Sequence, residues 1–140
     1  LIRGSGPTHL VLCHRAGMTE LDTVGAAIRV PPLNEVIALY EDLAGACGTF
    51  TRPLTAGIAL NTAHLDADDA ARAVAQIQDE TGRLVVDPVR DGADALVDAL
   101  MRCTWPGPKK RNQCLAAPQK PNLSPVVCVF AWKNRLIWTE

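Results

Sequence analysis

Ala56-Gly57-Ile58-Ala59-Leu60-Asn61, running on to Asp66-Ala67-Asp68-Asp69-Ala70, is a short apolar run that stops at a helix start. Uninterrupted apolar runs of this length are how strands buried on both faces read in parallel sheets. Asp66 suits the N-cap of the helix that follows, and Asp68 and Asp69 suit the positive end of its dipole. Ala70, Val74 and Ile77 give that helix an inner face, and Gly82 stops it. The stretch is therefore one β-α unit.

Working outward, the same unit recurs on both sides. Upstream, His9-Leu10-Val11-Leu12-Cys13-His14 reads as a buried strand. A Gly- and Thr-containing loop from Arg15 to about Val30 follows it. Pro31-Pro32 then opens a helix, where proline is tolerated because the first N–H groups lack partners anyway. Leu33, Val36, Ile37, Tyr40, Leu43 and Cys47 share its stripe, and Gly45 and Gly48 are its terminators. Downstream, Leu84-Val85-Val86 is a third strand. Asp91 caps a third helix with Leu96, Val97, Leu100 and Met101 inward. The spacing predicts helices over Leu33–Ala46, Asp66–Thr81 and Asp91–Arg102. Three β-α units in about 95 residues imply an α/β, doubly wound, P-loop NTPase-like parallel sheet with right-handed crossovers. Open sheets have about four to six strands, so this one is incomplete and its missing strands are expected upstream.

Composition agrees with a globular chain. It has 140 residues, 48% of them hydrophobic, enough for a core. No run approaches the roughly 18 apolar residues of a membrane helix. The start, Leu1 to Pro7, has neither a hydrophobic signal region nor a methionine, so the chain is expected to begin inside a longer, cytoplasmic protein. The five cysteines (Cys13, Cys47, Cys103, Cys114, Cys128) form no C-x-x-C pair and read as reduced thiols.

The net charge of -1 hides a split. Residues 1–103 carry eight arginines, no lysine and fourteen acids; residues 104–140 carry four lysines, two arginines, one acid and all three tryptophans. Residues 1–103 are read as the C-terminal part of a P-loop-like domain. Residues 104–140 are read as a basic, proline- and tryptophan-containing tail, irregular to about Pro125. A changed reading frame, a foreign join or a natural basic extension accounts for the break. Within the tail, Val126 to Trp132 reads as a strand candidate and Leu136-Ile137-Trp138 is apolar. Lys109-Lys110-Arg111 reads as solvated surface rather than a nucleic-acid site.

In open α/β sheets ligands bind outside the carboxyl ends of the strands. Cys13-His14, Asn61-Thr62 and the Asp87 to Asp91 segment sit there. Cys13 and His14 are strand neighbours and point to opposite faces, so they do not form a nucleophile–base pair or a metal set with His9. His14 is either a ligand contact or a hydrogen-bonded core histidine. Asn61 offers a donor and an acceptor together, as a base-reading residue does, or else caps its turn. Arg90 suits a carboxylate or phosphate, or else pairs with Asp87 or Asp91. The site residues on offer are His14, Asn61, Thr62, Asp87 and Arg90. No catalytic residue and no metal site is assigned. The chain has no G-x-x-x-x-G-K-[ST] phosphate cradle.

Four segments carry a family likeness: Leu10 to His14; Ile28 to Tyr40 with its Pro31-Pro32-Leu33-Asn34-Glu35 opening; Gly57 to Thr62; and Val85 to Gly92. In order and spacing they resemble the C-terminal domain of the D-glutamate N-acetyltransferase-like family, catalogued as a domain of unknown function. The resemblance implies a P-loop fold preceded by a Rossmann-like domain. It also implies acetyl transfer from acetyl-CoA to the amino group of D-glutamate or a similar amino acid. The partners expected are that small-molecule substrate, the N-terminal half of the protein and a second copy in a homo-oligomer; a membrane is not expected, and a basic run as short as Lys109-Lys110-Arg111 makes nucleic acid a minor alternative. A fragment without the P-loop half is expected to be inactive alone. Two other readings stand beside it: an ATP-dependent, nucleotide-binding enzyme resembling dethiobiotin synthetase, in which Asn61 reads adenine, and a non-catalytic fragment or interaction module.

Overall fold

The computed structural model describes residues 2–23, 26–48, 50–102 and 127–131. A one-turn helix, α1 (Ile2–Ser5), leads into β1 (His9–Arg15). A hairpin of β2 (Glu20–Thr23) and β3 (Ala26–Arg29) comes next, then α2 (Leu33–Gly45), β4 (Leu54–Asn61) and α3 (Ala67–Thr81). The chain closes with β5 (Val85–Val86), α4 (Asp94–Arg102) and β6 (Val127–Ala131). The main sheet is parallel throughout, in the order β5-β4-β1-β6. The expected core of β1, β4 and β5 is present, and β6, inside the strand candidate Val126 to Trp132, adds a fourth strand beside β1.

Helices cover both faces, as a doubly wound sheet requires. Leu12, Ile58, Leu60 and Val85 pack against Val36 and Ile37 of α2 and Ile77 of α3. Val11 and Val86 pack against Leu96 of α4 on the other face. Successive strand residues point to opposite faces, which is why neighbours such as Val11 and Leu12 serve different layers. Ile58 and Leu60 are fully buried, so β4 is the centre of the core.

The inner faces differ in places from the sequence expectation. In α2 the buried residues are Val36, Ile37, Glu41 and Ala44, while Leu43 and Cys47 are exposed. The left-handed position after α2 falls on Cys47 (φ 65°), not on a glycine. Gly45 serves packing instead: a Cβ there would meet the Arg52 Cα at 2.9 Å. In α4 Leu96 is buried, but Val97 and Met101 are exposed. One residue of offset turns a side chain about 100° around a helix, enough to move it out of the packed stripe.

The start of α4 also differs. Asp91 does not cap it; its N–H bonds the Asp87 carbonyl at 2.9 Å, and Gly92 (φ 81°) takes the chain through a left-handed step before the helix begins at Asp94. The cap of α3 is as expected: Asp66 accepts from the Asp69 N–H at 2.8 Å, and Gly82 ends the helix at φ 64°. The segment expected as loop, from Arg15 to Val30, contains the β2–β3 hairpin, with Glu20 opposite Arg29 and Leu21 opposite Ile28. Its four-residue strands are too short for alternation to show in the sequence. The boundary at residues 103/104, Lys109-Lys110-Arg111, the irregular stretch to Pro125 and Leu136 to Trp138 lie outside the described residues.

Buried Glu41 fixes the amino end of β4. It accepts from the Thr55 N–H at 2.9 Å and pairs with Arg52 at 2.7 Å and Arg83 at 3.6 Å. At the β1–β4 register shift, Leu10 sits opposite Thr55 and Val11 opposite Gly57. A Cβ on Gly57 would meet Leu96 Cδ2 at 2.8 Å and the Leu84 carbonyl oxygen at 3.0 Å. Gly57→Ala is therefore expected to destabilise the fold by about 1–3 kcal/mol, as overpacking does. Urea denaturation checks it; an unchanged midpoint would show that α4 gives way without cost.

Candidate functional site

The strands are parallel, so their carboxyl ends lie along one edge. In register, His14 is opposite Leu60 and Arg15 opposite Asn61, and Asp87 directly follows β5. Four of the five residues expected at the site thus sit at the ends of three adjacent strands, with Arg90 in the loop after β5.

Three of them form one knot. Asp87 is 2% exposed. One carboxylate oxygen accepts from the Thr62 N–H at 3.1 Å and from the Thr62 hydroxyl. The other accepts from the N–H groups of Val89 at 2.9 Å and Arg90 at 3.3 Å. The Arg90 guanidinium lies 3.8 Å from Asp87 and also donates to the carbonyls of Thr62 and Leu65. Burial alone would raise the Asp87 pKa. The Thr62 hydroxyl and the N–H groups of Val89, Arg90 and Thr62 outweigh it and hold the carboxyl below its ordinary range. Arg90 therefore pairs with Asp87, with its fork also spread over two carbonyls.

Asn61 stands apart from the knot. It is exposed, and its Oδ1 accepts from the Ala63 N–H at 3.0 Å, an Asx turn. By strand alternation it shares the α4 face with Ala59, whereas His14 shares the α2–α3 face with Leu12. Half-buried His14 is pushed below the ordinary histidine range by burial, and burial raises the Cys13 thiol. His14 is thus a neutral imidazole at pH 7. Cys13 and Cys47 are free thiols, and no group of three metal-ligating side chains forms among the described residues.

A cavity of about 700 Å³ opens beside the knot, with Thr62, Asp87 and Arg90 at one end and α3 as its wall. Asp91, from the segment expected at the ligand end, lines it too, with Gln78 and Asp79, which the sequence does not single out as site residues. A signal was available for Asp79: Ala67, Ala71, Ala75 and Asp79 recur every fourth residue, a stripe of small residues beside the packed face of α3. Three carboxylates against one guanidinium leave the cavity acidic, which does not favour a phosphate-rich ligand.

The sheet order places the reversal of winding between β1 and β6. From β1 the chain winds toward β4 and β5; α4 packs on the opposite face, and β6 lies on the other side of β1. Ligands of open α/β sheets bind at such a switch point, at the carboxyl ends. His14 is the expected site residue at that position.

Residues 1–97 match the family described as "Domain of unknown function (DUF1611_C) P-loop domain". A curated relative from Tritonibacter scottomollicae, named D-glutamate N-acetyltransferase, is 33% identical over 100 residues, covering 71% of this chain and 29% of the relative. The crystal structure of a DUF1611 family protein from Anabaena variabilis superposes with a TM-score of 0.67 at 52% identity, covering 72% of this chain and 29% of that one. The chain therefore spans less than a third of the length of either relative. No helix among the described residues is long and apolar enough to cross a membrane.

The knot makes a pH prediction. A carboxylate held below its unfolded pKa of about 3.9 adds stability that is full above that value and is lost as pH falls through the folded pKa. Asp87→Asn is expected to cost about 1–3 kcal/mol at pH 7, because the Thr62 and loop donors lose a charged acceptor. The gap between variant and parent should narrow below pH 4. Melting curves from pH 3 to 8 check both; a gap constant with pH would mean that Asp87 is not charged in the fold.

Proposed function

The chain belongs to the DUF1611 family through its C-terminal P-loop domain, and from that premise we propose that it is part of an N-acyltransferase acting on an amino acid. The single observation behind this is the match to the relative named D-glutamate N-acetyltransferase. By that likeness the donor is acetyl-CoA and the acceptor is D-glutamate or a similar amino acid. In the reaction the acceptor's amine, once deprotonated, attacks the thioester carbonyl. A C–N bond forms, the C–S bond breaks, and the amine proton passes to the leaving thiolate by way of a base.

His14 is the residue we place in that base role. A neutral imidazole at the switch point has the protonation state a general base needs, and burial favours that state. The α3 cavity is a poorer place for the donor, since its acidic lining would repel the phosphates of coenzyme A. The ATP-dependent reading has less support: the Asn61 Oδ1 is engaged by Ala63, and that reading needs the whole carboxamide.

The test is a chimera of the Tritonibacter protein with residues 1–97 of this chain in place of its own matched segment. It is expected to consume acetyl-CoA in the presence of D-glutamate. The acid limb of its kcat profile should fall below the ordinary histidine range. His14→Gln should lower kcat by roughly one hundred- to ten-thousand-fold and leave KM nearly unchanged. A folded chimera with no transfer refutes the acyl-transfer reading. Full activity in His14→Gln removes only the base role.

A further inference from the structure

Two arginines stand at the carboxyl edge of the sheet, and they differ. Arg90 has its donors engaged by Asp87 and by the carbonyls of Thr62 and Leu65. Arg15, the last residue of β1, is exposed, and its guanidinium makes no hydrogen bond or ion pair with any described residue. In register beside it is Asn61, the last residue of β4. Register partners of a parallel pair point to the same face, on strands about 4.8 Å apart, so both side chains rise on the α4 face. The Ala63 N–H holds the Asn61 Oδ1 and leaves Nδ2 as a donor without a partner among the described residues.

The backbone under this pair is fixed. The Ala16 N–H donates to the Asn61 carbonyl at 3.1 Å, and the Met18 N–H donates to the Arg15 carbonyl at 3.2 Å. One level below, half-buried Cys13 lies opposite half-buried Ala59, so the floor is small and uncharged. Neither β1 nor β4 carries an acid. Two donors side by side over such a floor match the two oxygens of a carboxylate. His14 precedes Arg15 and so points to the other face of the same strand end. An acidic amino acid has its amine at one end and its distal carboxylate at the other. Lying across the strand ends, it sets the amine at His14 and the carboxylate at Arg15.

We propose that the Arg15 guanidinium and the Asn61 Nδ2 seat the distal carboxylate of an acidic amino acid, and thereby select the acid over its neutral amide. The inference deepens the acyl-transfer reading and rests on it for the identity of the ligand. Selection follows from the donor set: a guanidinium has no hydrogen-bond acceptor, so a side-chain amide brings N–H groups that the seat leaves unpaired. A coenzyme A phosphate is the rival anion for the same donors. The nearness of His14 favours the carboxylate, because amine and distal carboxylate then belong to one small molecule.

The test reads binding by the chain itself. D-glutamate, D-glutamine and inorganic phosphate are each titrated into isotope-labelled protein while the magnetic-resonance signals of Arg15 Nε and Asn61 Nδ2 are followed. D-glutamate is expected to shift both signals saturably, and to bind at least about tenfold more tightly than D-glutamine or phosphate. Arg15→Gln should weaken D-glutamate by about ten- to a hundredfold, and Arg15→Lys should restore part of the loss, as a point charge in place of the fork. Asn61→Asp keeps the turn acceptor but replaces Nδ2 by a charged oxygen, and should abolish the shifts. Backbone signals away from the strand ends report that each variant is folded. D-glutamine or phosphate binding as tightly as D-glutamate overturns the proposal. So does a folded Arg15→Gln with parental affinity, or the absence of any saturable shift in the parent chain. A titration without effect leaves the transfer reading to its chimera, and a chimera without transfer leaves a measured carboxylate site standing.

Discussion

The Asp87 carboxylate holds the ligand end of this sheet together. A buried carboxylate without partners is costly enough to change its protonation state instead. Here it collects Thr62 from the end of β4 and two N–H groups from its own loop, with the Arg90 guanidinium beside it. Several features follow from that arrangement. The end of β4 cannot part from the end of β5. The loop must turn tightly around Asp87, so that α4 starts only after Gly92. From there α4 packs on the face opposite α2 and α3 through Leu96. Glu41 plays the corresponding part at the amino end of β4 through Thr55, Arg52 and Arg83. The central strand is thus held at both ends by a buried carboxylate, each supplied from a different element.

This arrangement divides the carboxyl edge of the sheet by role. Thr62, Asp87 and Arg90 direct their polar groups largely at one another, and Asn61 directs its Oδ1 into a turn. His14 has burial without that web, and it lies where the winding of the sheet reverses. The acidic cavity along α3 lies off to one side of the sheet.

What the sequence determined by itself is local. Short apolar runs, an Asp66 cap and the Gly82 stop depend on neighbours within a few residues, and they determined the alternation of β1, α2, β4, α3, β5 and α4 and the parallel core of β1, β4 and β5. The four family segments were legible for the same reason, since their residues are contiguous. What the tertiary structure decided involves partners far apart in the chain. Whether Asp91 or the Asp87 knot governs the start of α4 depends on Thr62, 25 residues from Asp87. Whether Leu43 or Glu41 faces inward depends on Arg52, Arg83 and the backbone of Thr55, which give the carboxylate its partners. The seat of β6 beside β1 is a pairing across more than a hundred residues, and no periodicity records it. Propensity and capping act through nearest neighbours, whereas burial of charge and strand pairing are settled only when distant segments meet.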